Sequence, residues 1–332
     1  MTQYSVLDLA PITAHADAGQ ALHNTLDLAQ LAETLGFGRY WLAEHHNMPG
    51  IASAATAVVI GQVAAATTRI RVGAGGIMLP NHAPLIVAEQ FGTLNALFPG
   101  RIDLGLGRAP GTDPATARAL RRSAESDPDQ FPRDVAELQS YLADPVPDQA
   151  IRAIPGAGSR VPVWILGSSL FGAQLAAYLG LPYAFASHFA PGQLHDAIAI
   201  YRREFRPSPE LDAPWVMAGY NVYVADTDTD AQTLASSMEQ AFISLRRGRP
   251  EPIQPPIPHY REQLDRAERA MVEQTMACSA IGAPDTVERE MRRFLEATQA
   301  DELILTTTTF DHEARRRSLA LTAQVCDRLS RS

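Results

Sequence analysis

Short runs of apolar residues alternate along this chain with longer segments in which apolar residues recur at helical spacing. The runs predict eight strands, at residues 5–10, 39–43, 70–78, 102–106, 163–166, 183–186, 215–225 and 302–308. Helices are predicted at residues 19–35, 53–67, 84–97, 132–142, 192–205, 286–297 and 313–329, and two more end near residues 179 and 247. Gly36, Ser53 and Pro84 are residue types expected just past a helix end, at an N-cap and at a first helical position.

The repeated strand–helix order predicts the fold class. Strands that are apolar throughout are typical of a parallel sheet with helices on both faces. Eight repeats predict a (β/α)8 TIM barrel, an α/β fold, with a doubly wound open sheet as the alternative. Two insertion loops break the order: residues 108–131 after strand four, and the proline-rich residues 248–261 after the helix that follows strand seven. The second is a candidate lid. Without a linker or repeat, residues 1–332 are expected to form one domain.

Composition excludes several functions. The 332 residues are 46% hydrophobic and 20% charged, which is typical of a globular protein, and the net charge of −9 offers no broad basic surface for nucleic acid. All 28 basic residues are arginine, so a lysine Schiff base and a lysine-bearing P-loop are excluded. Cys278 and Cys326 have no metal-binding spacing. No signal peptide or membrane-spanning run is recognisable, so a cytoplasmic protein without membrane contact is expected.

The second predicted strand ends in Glu44, His45 and His46, at the end of a barrel strand where chemistry is usually performed. One imidazole could transfer a proton near neutral pH, both could be structural, or they could bind a metal. Successive strand residues point to opposite faces, so His45 is expected to face one way and Glu44 and His46 the other. That separation disfavours a shared metal, and no metal is expected.

Glycines and an arginine mark the next two strands. Gly75 and Gly76 interrupt strand three, which indicates a bulge, a bend of the barrel or a flat group lying against the backbone. Arg108 follows strand four, where it could bind phosphate or form a surface ion pair. The surrounding GLGRAPG does not match the dinucleotide-binding GxGxxG pattern, so a Rossmann site is poorly supported.

The connection from strand five to its helix contains Gly167, Ser168 and Ser169. Free backbone N–H groups at a helix N-terminus, together with two hydroxyls, can bind an anion. Ordinary N-capping by serine is the alternative interpretation.

Taken in order, these segments resemble the bacterial luciferase-like flavin-dependent monooxygenase family, and specifically its single-chain, alkanal-monooxygenase-like branch. The resemblance covers nearly the whole chain. The segments that carry it are RYWLAEHHN (39–47), VGAGGIMLPNHAPLIVAEQF (72–91), FPGRIDLGLGRAPG (98–111), PVWILGSSLFGAQLAAYLG (162–180) and LPYAFASHF (181–189).

The resemblance implies a two-component enzyme that uses reduced FMN, supplied in trans by a separate NAD(P)H flavin reductase, and O2. A small organic substrate such as an aldehyde or ketone would be oxidised through a C4a-peroxyflavin. His45 would act in proton transfer, and a non-proline cis peptide beside the flavin ring would fall on Gly75–Gly76. The phosphate would be bound by one group of residues: Arg108, Arg133, Gly167, Ser168 and Ser169. A homodimer formed through helices two and three is also implied.

Two departures from the family pattern bear on the reaction. Gly107 stands where the light-emitting enzymes have a reactive cysteine, and His188 stands where they have a tryptophan near the flavin. Both argue against light emission. The alternatives are an F420-dependent hydride-transfer enzyme of the same superfamily, a flavin-binding protein without turnover and, more distantly, a metal-dependent barrel hydrolase.

Overall fold

Parallel strands close into a barrel in the computed structural model of the chain, which describes residues 2–109, 112–120 and 130–331. The strands are β1 (Gln3–Asp8), β2 (Arg39–Leu42), β3 (Arg71–Met78), β4 (Ile102–Gly107), β5 (Val163–Gly167), β6 (Tyr183–Phe185), β7 (Val216–Val224), β8 (Ser279–Gly282) and β9 (Glu302–Thr306). Strands β1 to β7 pair in chain order, and β9 closes the ring between β7 and β1. The predicted TIM barrel is therefore confirmed.

Helices connect the strands and cover the outside of the barrel. They are α1 (Ala18–Thr34), α2 (Thr56–Ala66), α3 (Pro84–Leu97), α4 (Pro114–Ala119), α5 (Gln130–Leu142), α6 (Leu170–Leu179), α7 (Leu194–Glu204), α8 (Asp228–Arg246), α9 (Tyr260–Gln263), α10 (Arg266–Thr275), α11 (Pro284–Thr298) and α12 (His312–Arg331). Short 3-10 turns lie at Leu79–Asn81 and Pro191–Gln193. Within the described ranges, no helix is long and apolar enough to cross a membrane.

Two features differ from the sequence-based expectation. Strand β8 was not predicted; it has four residues and pairs only with the C-terminal half of β7, outside the closed ring. Ser53 is not an N-cap, because α2 begins three residues later, at Thr56. The Ser53 hydroxyl instead donates to the carbonyl of Ala43, at 2.5 Å, and so ties the start of α2 to the end of β2.

The barrel interior is filled in layers. At the N-terminal end, Arg39 donates to the buried carboxylates of Asp103 (2.7 Å) and Glu302 (3.1 Å). Above them Trp41 and Trp164 pack edge to face, with ring centroids 5.2 Å apart. Charges at the N-terminal end of a barrel serve stability, so chemistry is expected at the opposite, C-terminal end.

The proline-rich insertion lies across that C-terminal end. Ile253 is buried, its N–H donates to the carbonyl of Ile12, and its carbonyl accepts from the N–H of Ala14. A Cβ on Gly50 would lie only 2.9 Å from the carbonyl oxygen of Glu251. The segment is thus in contact with the loops that follow β1 and β2. Its role as a lid stays a prediction.

Candidate active site

Glu44, His45 and His46 lie in the loop just past β2, which ends at Leu42. The Glu44 carboxylate accepts from Nε2 of His46 at 2.8 Å, so these two side chains lie on one side. The charge of His45 contributes, after burial, to the lowered pKa of His188 in the loop after β6. Among the described residues, no group of histidine, cysteine and acidic side chains could hold a metal ion.

Glu44 is a buried carboxylate that several donors surround. Its side chain is 1% exposed and also accepts from Nε2 of His82, at 3.0 Å, and from the N–H of Met78, at 3.0 Å. Burial raises the pKa of this carboxyl. The hydrogen bond and charge of His82, and the hydrogen bonds from His46 and the Met78 N–H, outweigh burial and lower the pKa below its usual value. Glu44 is therefore ionised at neutral pH and joins the tip of β2 to the end of β3.

His188 lies inside the mouth of the barrel. A Cβ built on Gly219 of β7 would come within 2.3 Å of its Nδ1, so the ring rests directly on the β7 backbone. Burial, and secondarily the charge of His45, lowers the pKa of His188 to about 4. The ring is therefore neutral at pH 7. His45 lies near enough for its charge to contribute to the lowered pKa.

The glycines of β3 and β4 are required by close packing. The Gly75–Gly76 peptide bond is cis, as the resemblance implies, and the register with β4 shifts between Gly75 and Ile77. A Cβ on Gly75 would approach Leu7 to 2.9 Å, and one on Gly76 would approach the Gly105 carbonyl oxygen to 2.7 Å. The bulge interpretation is confirmed, whereas contact between this peptide and a flavin ring stays a prediction.

Arg108 and the serine pair meet beside the N-terminus of α6. The guanidinium carbon of Arg108 lies 4.2 Å from the ring centroid of Phe171, in the first turn of that helix. Ser169 occupies the N-cap position, yet its side chain makes no capping hydrogen bond. Neither serine hydroxyl bonds to another residue of the described ranges. Two free hydroxyls, backbone N–H groups and an arginine together form a donor set that suits a phosphate.

Arg133 is not part of this group in the structure. It is exposed on α5 and makes no ion pair or hydrogen bond with any described residue. Its role in phosphate binding stays a prediction. The insertion that precedes α5 is described only in part, because residues 110, 111 and 121–129 lie outside the described ranges.

The described part of that insertion is attached to the β2 tip. Asn47 donates to the hydroxyl of Thr116 at 3.0 Å, and the hydroxyl of Thr112 donates to the carbonyl of His46 at 3.0 Å. A groove of about 500 Å³ lies between the tip and α4. Its lining includes His46, Asn47, Thr116 and Leu120.

Sequence reasoning missed two contributors to this end of the barrel. His82 is a partner of Glu44. The available signal was its position four residues past the predicted end of the third strand. Phe171 was not singled out, since nothing in a helix-start phenylalanine indicates that the arginine after the neighbouring strand β4 will stack on it.

Comparison with known proteins agrees with this geometry. Residues 2–302 match the sequence profile of the family described as luciferase-like monooxygenase. A luciferase-like monooxygenase of Escherichia coli strain K12 is 51% identical over 326 residues, which cover 98% of this chain and 97% of that protein. The N-acetyl-S-alkylcysteine monooxygenase of Bacillus subtilis strain 168 is 36% identical over 256 residues, 75% of each chain.

Solved structures share the fold. The crystal structure of apo-MsnO8 superposes with a TM-score of 0.87 at 32% identity, covering 98% of this chain and 99% of MsnO8. The oxygenating constituent of 3,6-diketocamphane monooxygenase from Pseudomonas putida, a type II Baeyer–Villiger monooxygenase in complex with FMN, has a TM-score of 0.72 at 15% identity, with 97% of each chain covered. That second likeness concerns the fold alone. From its profile match and its relatives, the chain belongs to the luciferase-like monooxygenase family.

Proposed function

We propose that this protein is the oxygenating component of a two-component, FMN-dependent monooxygenase. The observation that carries the proposal is the grouping of Arg108 and the Ser168–Ser169 pair beside the N-terminus of α6, at the same end of the barrel as His45. An FMN phosphate needs such a donor set. The named activities of relatives, and the FMN bound in the diketocamphane enzyme, support the same assignment.

Reduced FMN, when bound, would supply the two electrons that allow one atom of O2 to enter the substrate and the other to leave as water. Arg108, Ser168 and Ser169 would hold its phosphate. We expect the flavin ring beside the Gly75–Gly76 peptide. His45 would give or take a proton at its imidazole, beside the reacting atoms.

The substrate would be a small aldehyde, ketone or similar molecule. A separate NAD(P)H flavin reductase would deliver the reduced cofactor, since no nicotinamide-binding fingerprint is present in the sequence.

The phosphate site can be tested without turnover. In the Ser168→Ala, Ser169→Ala double variant we expect FMN to bind roughly a hundredfold more weakly, because two hydrogen bonds to a charged group are lost. Riboflavin lacks the phosphate, so its affinity should be unchanged and serves as the matched control. Equal weakening of both ligands would mean that the serines do not contact phosphate.

The reaction is tested with isotopically labelled oxygen. Protein supplied with FMN, a flavin reductase, NADH and 18O2 should convert members of an aldehyde and ketone series into products that carry one labelled atom. The His45→Ala variant should lose this product while it still binds FMN. His46→Ala, whose imidazole bonds to Glu44, should retain most of the activity. Unlabelled products from the wild type would overturn the oxygenase assignment.

An F420-dependent hydride transfer is the competing assignment. Anaerobic titration of the protein with reduced FMN and with reduced F420 separates the two. Tighter binding of F420 would favour the competitor.

A further inference from the structure

His188 is held rigidly at the mouth of the barrel. Nδ2 of Asn221 donates to the His188 carbonyl at 2.6 Å, and the Ser187 hydroxyl donates to the Gly219 carbonyl at 2.6 Å. Phe189 packs against the imidazole edge to face, with ring centroids 5.0 Å apart. These contacts join the loop after β6 to β7 and fix the ring over Gly219. A side chain held so firmly presents its free edge in a constant direction.

The two ring nitrogens have different surroundings. Nδ1 is buried against Gly219 and has no hydrogen-bond partner among the described residues. The other edge of the ring, with Nε2, is turned away from β7, and the residue keeps part of its surface exposed. No described residue bonds to Nε2. A ligand that enters the barrel mouth can therefore reach this ring at Nε2.

Chemistry decides which nitrogen carries the proton. The ring is neutral at pH 7, so it has one N–H donor and one lone-pair acceptor. A proton on Nδ1 would be a buried N–H without a partner, which is rare in folded proteins and costs free energy. A proton on Nε2 leaves only a lone pair at Nδ1. The proton is therefore assigned to Nε2. The barrel mouth thus contains an uncharged, fixed donor beside His45.

We propose that His188 donates its Nε2–H to an oxygen atom of the bound organic substrate, and that this selects substrates with a carbonyl group. The proposal rests on the proposed oxygenase function and adds to it a determinant of specificity. A neutral donor suits a neutral carbonyl oxygen, and a site with a fixed donor disfavours an analogue that leaves the donor unpaired. In this proposal His45 transfers the proton, and His188 recognises the substrate.

A matched ligand pair tests the proposal without turnover. The probes are 2-octanone and its isosteric alkene 2-methyl-1-octene, whose binding to the FMN-loaded protein is measured by calorimetry. Wild type should prefer the ketone, and His188→Phe should lose about fivefold of that preference, as expected for one neutral hydrogen bond. His188→Gln places an amide N–H near the Nε2 position and should restore part of it. Gly219→Ala would displace the ring and should resemble His188→Phe.

A spectroscopic readout complements the affinities. In 15N-histidine-labelled protein, the long-range nitrogen–proton spectrum of His188 should show the Nε2–H tautomer at pH 7, and its Nε2 resonance should shift when 2-octanone is added. A protonated Nδ1, an unchanged ketone-to-alkene ratio in His188→Phe, or a wild type that does not bind the ketone overturns the proposal. Failure of the oxygenase function would instead appear as products without 18O, whatever the ligand ratio.

Discussion

Replacement of Glu44 by glutamine should destabilise the protein, although the two side chains have almost the same shape. Oε1 of Glu44 accepts from His46 (2.8 Å), His82 (3.0 Å) and Asn81 (3.2 Å). Oε2 accepts from the Met78 N–H at 3.0 Å. A glutamine can offer only one carbonyl oxygen, which we expect to face the three donors. Its NH2 group would then oppose the N–H of Met78.

The magnitude follows from these contacts. An unpaired buried donor costs about 1–3 kcal/mol, and hydrogen bonds to a charged acceptor are stronger than those to a neutral one. We therefore expect Glu44→Gln to lower the free energy of unfolding by about 2–4 kcal/mol at pH 7.5. Urea unfolding measures the change, and Glu313→Gln is the matched control, because that side chain is 83% exposed. The control should change stability by less than about 0.5 kcal/mol.

The effect should also depend on pH with a defined sign. The pKa of Glu44 is lower in the folded protein than its usual value of 4.5. The ionised carboxylate therefore stabilises the protein fully above pH 4.5, and this contribution is lost as the pH falls through the folded pKa. The difference between wild type and Glu44→Gln should shrink below pH 4.5. A variant as stable as wild type at pH 7.5, or a difference that grows in acid, would refute this account of the Glu44 cluster.

Three further predictions concern other parts of the barrel. Arg315→Ala should lower the free energy of unfolding by about 3–5 kcal/mol in urea, because it leaves the buried Asp8 carboxylate, 2.8 Å away, without its charge partner; a loss below about 1 kcal/mol would contradict this. Gly107→Cys should lower the free energy of unfolding by at most about 1 kcal/mol, since its Cβ would lie 2.8 Å from Sδ of Met78, the end of a flexible side chain that can shift; a loss of about 3 kcal/mol or more would show that Met78 cannot move aside. Val58→Glu with Leu97→Glu should convert a dimer into monomers in sedimentation experiments, because these residues are 68% and 65% exposed on α2 and α3; a wild type that is already monomeric at micromolar concentration would exclude the dimer.

The order of the strands could be predicted because long apolar runs leave few alternatives. β7 is buried at all nine of its positions, and α3 begins and ends where Pro84 and the following apolar pattern place it. β8 could not be predicted in the same way. Ser279–Gly282 is a four-residue segment with alternating burial, and it becomes a strand only because the upper half of β7 offers free backbone groups. Tertiary pairing, rather than local propensity, determines such a strand.

In the candidate site, the residue types could be predicted from the sequence, whereas their contacts could not. Strand alternation predicts opposite sides for His45 and His46, but β2 ends at Leu42, so the rule does not extend to these residues and their separation stays a prediction. The partners of Glu44 were beyond sequence reasoning, because Met78 and His82 lie more than thirty positions along the chain and reach Glu44 only through the pairing of β2 with β3. Likewise, an unused Ser169 hydroxyl cannot be distinguished from a capping one until the backbone is known.

The segment after β2 combines His45, the proposed proton-transfer residue, with the contacts that Glu44 makes to β3. Glu44 binds β3 twice, since its N–H donates to the Gly76 carbonyl at 3.2 Å while its carboxylate accepts from the Met78 N–H. The first contact is made at Gly76, where the register of β3 against β4 shifts, and the second is made two residues beyond it. His45 makes none of these contacts, so we expect a change at His45 to leave them intact. Loss of activity in His45→Ala at unchanged stability would therefore show that His45 acts in the reaction. Loss of activity in Glu44 variants would instead follow from a displaced β3.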